Sequence, residues 1–161
     1  IKDVRVTRKL PNILKIYVTP HEAIAGILAK DGKRIYPLSR EGSLFAPLPL
    51  HEASDAPILR GAQFVKSLKL RKLALDVLLQ LPHSGEFSLQ SVSEIRYSKK
   101  DGIILVLGLE DNEVIMGDRD FKNRVDHVRR VVQYLRSENL RGRVIDARFS
   151  KKVVVRLRNA S

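Results

Sequence analysis

The order of patterned segments predicts an α+β fold built on a mainly antiparallel sheet flanked by two longer helices. Three observations predict it. Strand-like segments come in neighbouring pairs joined by turn residues, as at Leu10-Pro11-Asn12 and Asp31-Gly32. Two stretches, 63–81 and 118–136, carry apolar residues at helical spacing. Three strands lie between those helices and a strand pair follows the second, so the order reads ββ, ββ, loop, α, βββ, α, ββ.

Residues 1–18 read as a hairpin. Val4 and Val6 share one face, and Leu14, Ile16 and Val18 supply the return. Proline presets its own φ in the connecting turn and asparagine tolerates the left-handed region. A lone hairpin is marginal in water, so this one needs neighbours. Residues 23–28 and 33–36 form a second pair. Pro37, Pro47, Pro49 and Pro57 then mark a long irregular passage up to Gly61. Its Leu44, Phe45, Leu48, Leu50, Ile58 and Leu59 are apolar enough to pack down. The first helix spans 63–81, with Phe64, Leu68, Leu75, Leu78 and Leu79 at helical spacing, and Pro82 stops it. Strands follow at 89–97, 103–109 and 113–116. The middle one, Ile103-Ile-Leu-Val-Leu107, does not alternate, which places it centrally with a helix on one side. In the second helix Phe121, Val125, Val128, Val132 and Leu135 make one narrow stripe, and Asp118 or Asp120 is placed to cap its start.

Composition narrows the function. The chain has 161 residues, 43% of them apolar, enough for a core that buries roughly two-thirds of the unfolded surface. Thirty Lys and Arg against 18 Asp and Glu give a net charge of +12. Such a surface suits an anionic partner, although the basic residues are spread along the sequence. The chain has no cysteine, which excludes disulfides and thiolate chemistry. No apolar run approaches the roughly 18–20 residues of a membrane span. The chain opens at Ile1 within a strand-like pattern, so a longer protein is expected.

Catalytic signals are weak. His21, His51, His83 and His127 sit in separate contexts, and His51-Glu52 lacks the second histidine of a zinc-helix motif because position 55 is Asp. Asp118, Asp120, Asp126 and His127 cluster in sequence, where helix capping and surface charge account for them. No phosphate-binding loop and no nucleophile elbow appear. Aromatic residues make up 6% and are not interleaved with the basic ones, which argues against a single-strand nucleic-acid platform. No catalytic residue, metal, cofactor or small-molecule substrate is expected.

The end of the chain is more informative. Ile145, Ala147 and Phe149 share one strand face, with Asp146 and Arg148 on the other. After a short turn Val153, Val155 and Leu157 share a face opposite Val154, Arg156 and Arg158. A last strand with few residues after it is expected at a sheet edge, where unpaired N–H and C=O groups accept an added strand. Val154 and the arginines would then contact an acidic, partly helical partner. The alternative is that Val154 packs beneath a helix of the same domain.

Six stretches stand out together: Val4 to Val18, Asp31-Gly-Lys-Arg-Ile-Tyr36, Pro57-Ile-Leu-Arg-Gly61, Gly102-Ile-Ile-Leu-Val-Leu107, Val114-Ile-Met-Gly117 and Val144-Ile-Asp-Ala-Arg-Phe149. In this order they resemble the FtsQ/DivIB family of bacterial division proteins. The first is similar to the last hairpin of that family's POTRA domain, and the other five are similar to its β-domain. The resemblance implies residues 1–20 as the end of a truncated POTRA domain and 21–161 as the β-domain. It implies a single-pass inner-membrane protein with this segment outside the cytoplasm, whose anchor is not in this chain. The protein would be non-enzymatic, hold together the partners FtsB and FtsL, and help control septal cell-wall synthesis. The partner strand would run beside 149–158, with Arg148, Phe149, Lys152, Val153, Val154, Val155 and Arg156 as contacts. Ser150 and Ala23 depart from the family pattern, which often has proline at both places, and the tail is unusually basic. Two other readings rest on charge: a basic nucleic-acid-binding module, and a peripheral module on an anionic membrane surface, which is compatible with the scaffold.

Overall fold

The computed structural model describes residues 3–9, 11–19, 22–108 and 112–158. Strands β1 (Asp3–Lys9) and β2 (Ile13–Thr19) form a separate two-stranded antiparallel sheet, in register from Asp3↔Thr19 to Lys9↔Ile13. Val4, Val6, Leu14 and Ile16 share one face of it and are all exposed.

The other strands make one nine-stranded sheet. They are β3 (Ala25–Leu28), β4 (Arg34–Leu38), β5 (Leu48–Pro49), β6 (Ile58–Leu59), β7 (Val92–Ser98), β8 (Gly102–Leu107), β9 (Asn112–Gly117), β10 (Gly142–Asp146) and β11 (Val154–Leu157). Their order across the sheet is β11-β10-β9-β8-β7-β6-β3-β4-β5. Sequential hairpins pair antiparallel, whereas β9·β10, β6·β7 and β3·β6 pair parallel. In β6–β7 and β9–β10 a helix makes the crossover that a parallel connection requires. The fold is therefore α+β with a mixed, mostly antiparallel sheet.

The passage 37–61 is less irregular than its prolines suggest. It contains β5, a 3₁₀ turn at Leu50–Glu52, and β6, which slots between β3 and β7 in the middle of the sheet. Two residues are too few to leave a period-2 pattern, yet Leu59 is fully buried.

The predicted helix over 63–81 is two helices, α1 (Ala62–Lys66) and α2 (Leu68–Gln80). Ser67 is extended between them and its Oγ accepts from the Leu70 N–H at 3.2 Å, capping α2. Arg71 Nη1 donates to the carbonyls of Phe64 and Val65, which the break leaves without helical partners. The break also rotates the buried face. Ala74, Leu75, Val77 and Leu78 pack inward, while Leu68 and Leu79 are 47% and 48% exposed, contrary to their place in the predicted stripe.

The third helix, α3 (Phe121–Ser137), buries Phe121, Val125, Val128 and Leu135 and half-buries Val132, as its stripe predicts. Its start differs. Asp120 holds the cap position at φ 55° with no side-chain cap bond, and its carboxylate instead accepts from Asn123 Nδ2 at 2.7 Å. Strand β8 is central and covered on both faces. Ile103 and Leu105 are fully buried toward the core, and Val106, on the opposite face between Glu94 and Glu113, is only 1% exposed.

Candidate functional site: the β11 edge

β11 is an end strand of the large sheet, and among the described residues its one strand partner is β10. Val154 lies opposite Asp146, Val155 opposite Ile145, and Arg156 opposite Val144. The Arg158 N–H donates to the Arg141 carbonyl at 2.8 Å, so the strand's even-numbered N–H groups face β10. By alternation the N–H and C=O groups of Val155 and Leu157, with those of Val153 just before the strand, face away from the sheet.

The side chains divide by face as their alternation predicts. Val153 and Val155 are half-buried against the core. Val154 is 41% exposed on the opposite face, so it does not lie beneath a helix, and Leu157 is 47% exposed. Arg156 and Lys152 are exposed. Phe149 breaks the predicted pattern. Strand β10 ends at Asp146, the chain turns, and Phe149 is 44% exposed instead of joining Ile145 and Ala147 in the core. The Lys152 ammonium lies 5.4 Å from the centre of its ring.

Arg148 is held within the molecule. Its Nε and Nη2 donate to the two Asp146 carboxylate oxygens at 2.9 and 2.7 Å, and Nη1 donates to Asp101 Oδ1 at 2.8 Å. The Arg148 guanidinium holds the Asp146 carboxyl below the ordinary aspartate value, against the opposing effect of partial burial. This clamp fixes the turn that launches the chain toward β11.

A second arginine braces the same turn from behind. Arg124, 9% exposed on α3, donates through Nη1 to the Met116 carbonyl at 2.5 Å and through Nη2 to the Arg148 carbonyl at 3.1 Å. Together with Arg119, Asp120, Asn123, His127, Phe149 and Ser150, these arginines line a cavity of about 620 Å³ at the start of the edge. Three arginines and a phenyl ring against one carboxylate, Asp120, at the head of an open strand suit a carboxylate-bearing chain.

Sequence reasoning placed Arg148, Phe149 and the residues 152–156 here, missed Arg119 and Arg124, and put His127 down to ordinary surface charge. One signal was available for Arg124: it falls inside the apolar stripe of α3, between Phe121 and Val128, where a charge has to be neutralised locally. Of Asp118, Asp120, Asp126 and His127, which cluster in sequence, Asp120 and His127 line this cavity. Among the described residues no group of His, Asp and Glu is placed to hold a metal, and no helix is long and apolar enough to cross a membrane.

Comparison with known proteins agrees with this architecture. Residues 26–148 match the family described as cell division protein FtsQ/DivIB, C-terminal; the match begins in β3 and ends at Arg148, before β11. The chain is 26% identical over 163 residues to the cell division protein FtsQ of Geotalea daltonii, and 27% identical over 165 residues to that of Geobacter sp. strain M21. Each alignment covers 97% of this chain and 58% of the relative. The cell division protein FtsQ of Koribacter versatilis is 23% identical over 162 residues, which are 96% of this chain and 46% of that protein. The chain thus spans about half the length of the curated relatives it matches. On the strength of the family match over most of its sheet and helices, this chain belongs to the FtsQ/DivIB family.

Proposed function

We propose that the chain serves cell division as a non-enzymatic scaffold, binding division proteins of the FtsB and FtsL type by strand addition along β11. The observation that carries this reading is an end strand whose outer backbone groups face no other strand among the described residues, launched from an arginine-clamped turn. Each added backbone hydrogen bond contributes about 0.5–1.5 kcal/mol net, so the few that β11 offers give a modest complex. Side chains supply the rest: Val154 and Arg156 on one face, and Phe149 with the arginine-lined cavity at the head of the strand. An acidic segment that continues into an extended one satisfies both parts. Within this reading residues 1–20 close a POTRA-type domain, residues 21–161 form the partner-binding domain, and the protein is held at the inner membrane with this part outside the cytoplasm.

Two substitutions test the mechanism against a candidate FtsB-type peptide. Leu157→Pro deletes an outward N–H while leaving the bonds to β10 in place. Val154→Asp puts a carboxylate on the exposed flank. Both variants are expected to keep the circular dichroism of the parent and to lose at least about tenfold in affinity, about 1.4 kcal/mol by the usual conversion. Unchanged affinity in folded Leu157→Pro protein rules out pairing along this edge.

A further inference from the structure

The three helices carry much of the chain's excess positive charge. Helices α1, α2 and α3 together hold nine Lys and Arg against two carboxylates, Asp76 and Asp126, an excess of seven out of the chain's net +12. Three of the nine have partners that hold them. Arg71 and Arg124 turn onto backbone carbonyls, and Arg136 pairs with Glu86. The other six, Lys66, Lys69, Lys72, Lys122, Arg129 and Arg130, are all exposed, and among the described residues only Arg129 has a carboxylate within ion-pair distance, Asp126 at 3.6 Å. α2 and α3 pack against each other on one face of the sheet, so these cations belong to a single helical layer. The same helices also carry three exposed apolar side chains, Leu68, Leu79 and Tyr134.

We infer that the outward face of this helical layer docks on an anionic lipid bilayer. Long cationic side chains around isolated apolar ones suit a uniformly anionic, fluid plane that imposes no register. A protein interface would need a contiguous apolar centre, which single, separated side chains do not make. Single-stranded nucleic acid would need several exposed rings for stacking, and the face has one. The geometry leaves the proposed partner edge free: β11 ends the sheet laterally, outside β10, the strand on which α3 packs. Docking on lipid and strand addition can therefore occur together.

The test is co-sedimentation of the full chain with vesicles of phosphatidylcholine alone and of phosphatidylcholine mixed with phosphatidylglycerol. The triple variant Lys69→Glu/Lys72→Glu/Arg130→Glu reverses the face. Lys30→Glu/Lys33→Glu/Arg40→Glu makes the same change of net charge at exposed positions around β3 and β4. Binding is expected only to the mixed vesicles, to weaken with salt, to fall by at least about tenfold in the helical variant, and to survive largely intact in the control. Equal losses in the two variants would reduce the effect to net charge and overturn the inference. So would binding to neutral vesicles, or binding to duplex DNA that depends on the same three residues without any vesicle binding. Val154→Asp serves as the separating control: it is expected to sediment like the parent, so the edge and the helical face stand or fall independently.

Discussion

Arg148 directs its guanidinium donors to Asp146, to Asp101 and to the Lys100 carbonyl, so this residue is first a clamp of its own turn. Because Asp146 titrates below its ordinary value in the folded chain, the pair stabilises the fold fully above the unfolded aspartate pKa of about 4. That stabilisation is lost as pH falls through the depressed folded value. Glu94 behaves alike: burial raises its pKa, but hydrogen bonds from Arg96 and Arg60 together outweigh burial and leave it lowered. Asp146→Asn is therefore expected to cost about 1–2 kcal/mol at neutral pH and to flatten the acid side of a urea-midpoint profile. A variant whose profile keeps the parent's acid slope would place the sensitivity elsewhere. A second residue-scale prediction concerns the crossing of β8 and β9. A Cβ at Gly102 would lie 2.3 Å from the Gly117 carbonyl carbon, and Gly102 has φ +70°. Gly102→Ala is expected to destabilise by about 2–4 kcal/mol, read from thermal or urea unfolding. Neither glycine could be singled out in the sequence, because the close approach depends on the pairing of two strands. Arg124 was half-visible: its place in an apolar stripe marks it as unusual, but its two carbonyl acceptors come from β9 and from the turn after β10.

Legibility differed by element for the same reason. Long elements that carry their own signal were readable: the apolar stripe of α3, the continuous apolar run of β8, and the alternation of the β1–β2 hairpin about its Pro-Asn turn. Elements whose identity depends on neighbours were not. β6 has two residues and forms because β3 and β7 flank it in parallel, and nothing local at Ile58-Leu59 specifies a strand. The α1–α2 break was equally hidden. Leu68 continues a helical period from Phe64, while the interruption is stabilised by the Ser67 cap and by Arg71 reaching back to two carbonyls. The edge position of β11 was legible from its place as the last strand, with few residues after it, but the cavity beside it was not, because its walls come from α3 with the residues just before it and from the turn after β10. The dependence of β6 on its neighbours predicts a large effect from a small element. Leu59 is fully buried at the centre of the sheet, so Leu59→Ala is expected to cost about 2–5 kcal/mol. The urea midpoint should drop with an unchanged slope. A loss below 1 kcal/mol, on the order of a surface change, would mean that the strand is dispensable.

At the scale of the whole molecule the chain divides into two sheets with unequal support. The nine-stranded sheet lies under three helices and holds the core, from Ile27 and Leu38 through Leu59, Ile95 and Leu105 to Met116. The β1–β2 sheet has every described residue of β1 exposed, and Ile13, Leu14, Ile16 and Tyr17 of β2 exposed as well. A two-stranded sheet with nothing packed on its apolar face is marginal in water. Its opening should therefore be a local event that does not require unfolding of the larger sheet. Native-state hydrogen exchange is expected to show the β1 and β2 amides exchanging at least about a hundredfold faster than those of β8, in keeping with the spread between local and global opening. Addition of denaturant should leave the hairpin rates nearly unchanged while accelerating β8, because little surface is exposed when the hairpin opens. The apolar face formed by Val4, Val6, Leu14 and Ile16 also makes the hairpin a surface awaiting cover, in line with the proposed POTRA-type domain that these strands would complete. In a longer protein that includes that cover, protection of the same amides should rise sharply while protection of β8 stays the same. Hairpin amides that exchange together with β8 in the present chain would mean that the two sheets unfold as one cooperative unit and that the proposed boundary near residue 20 is wrong.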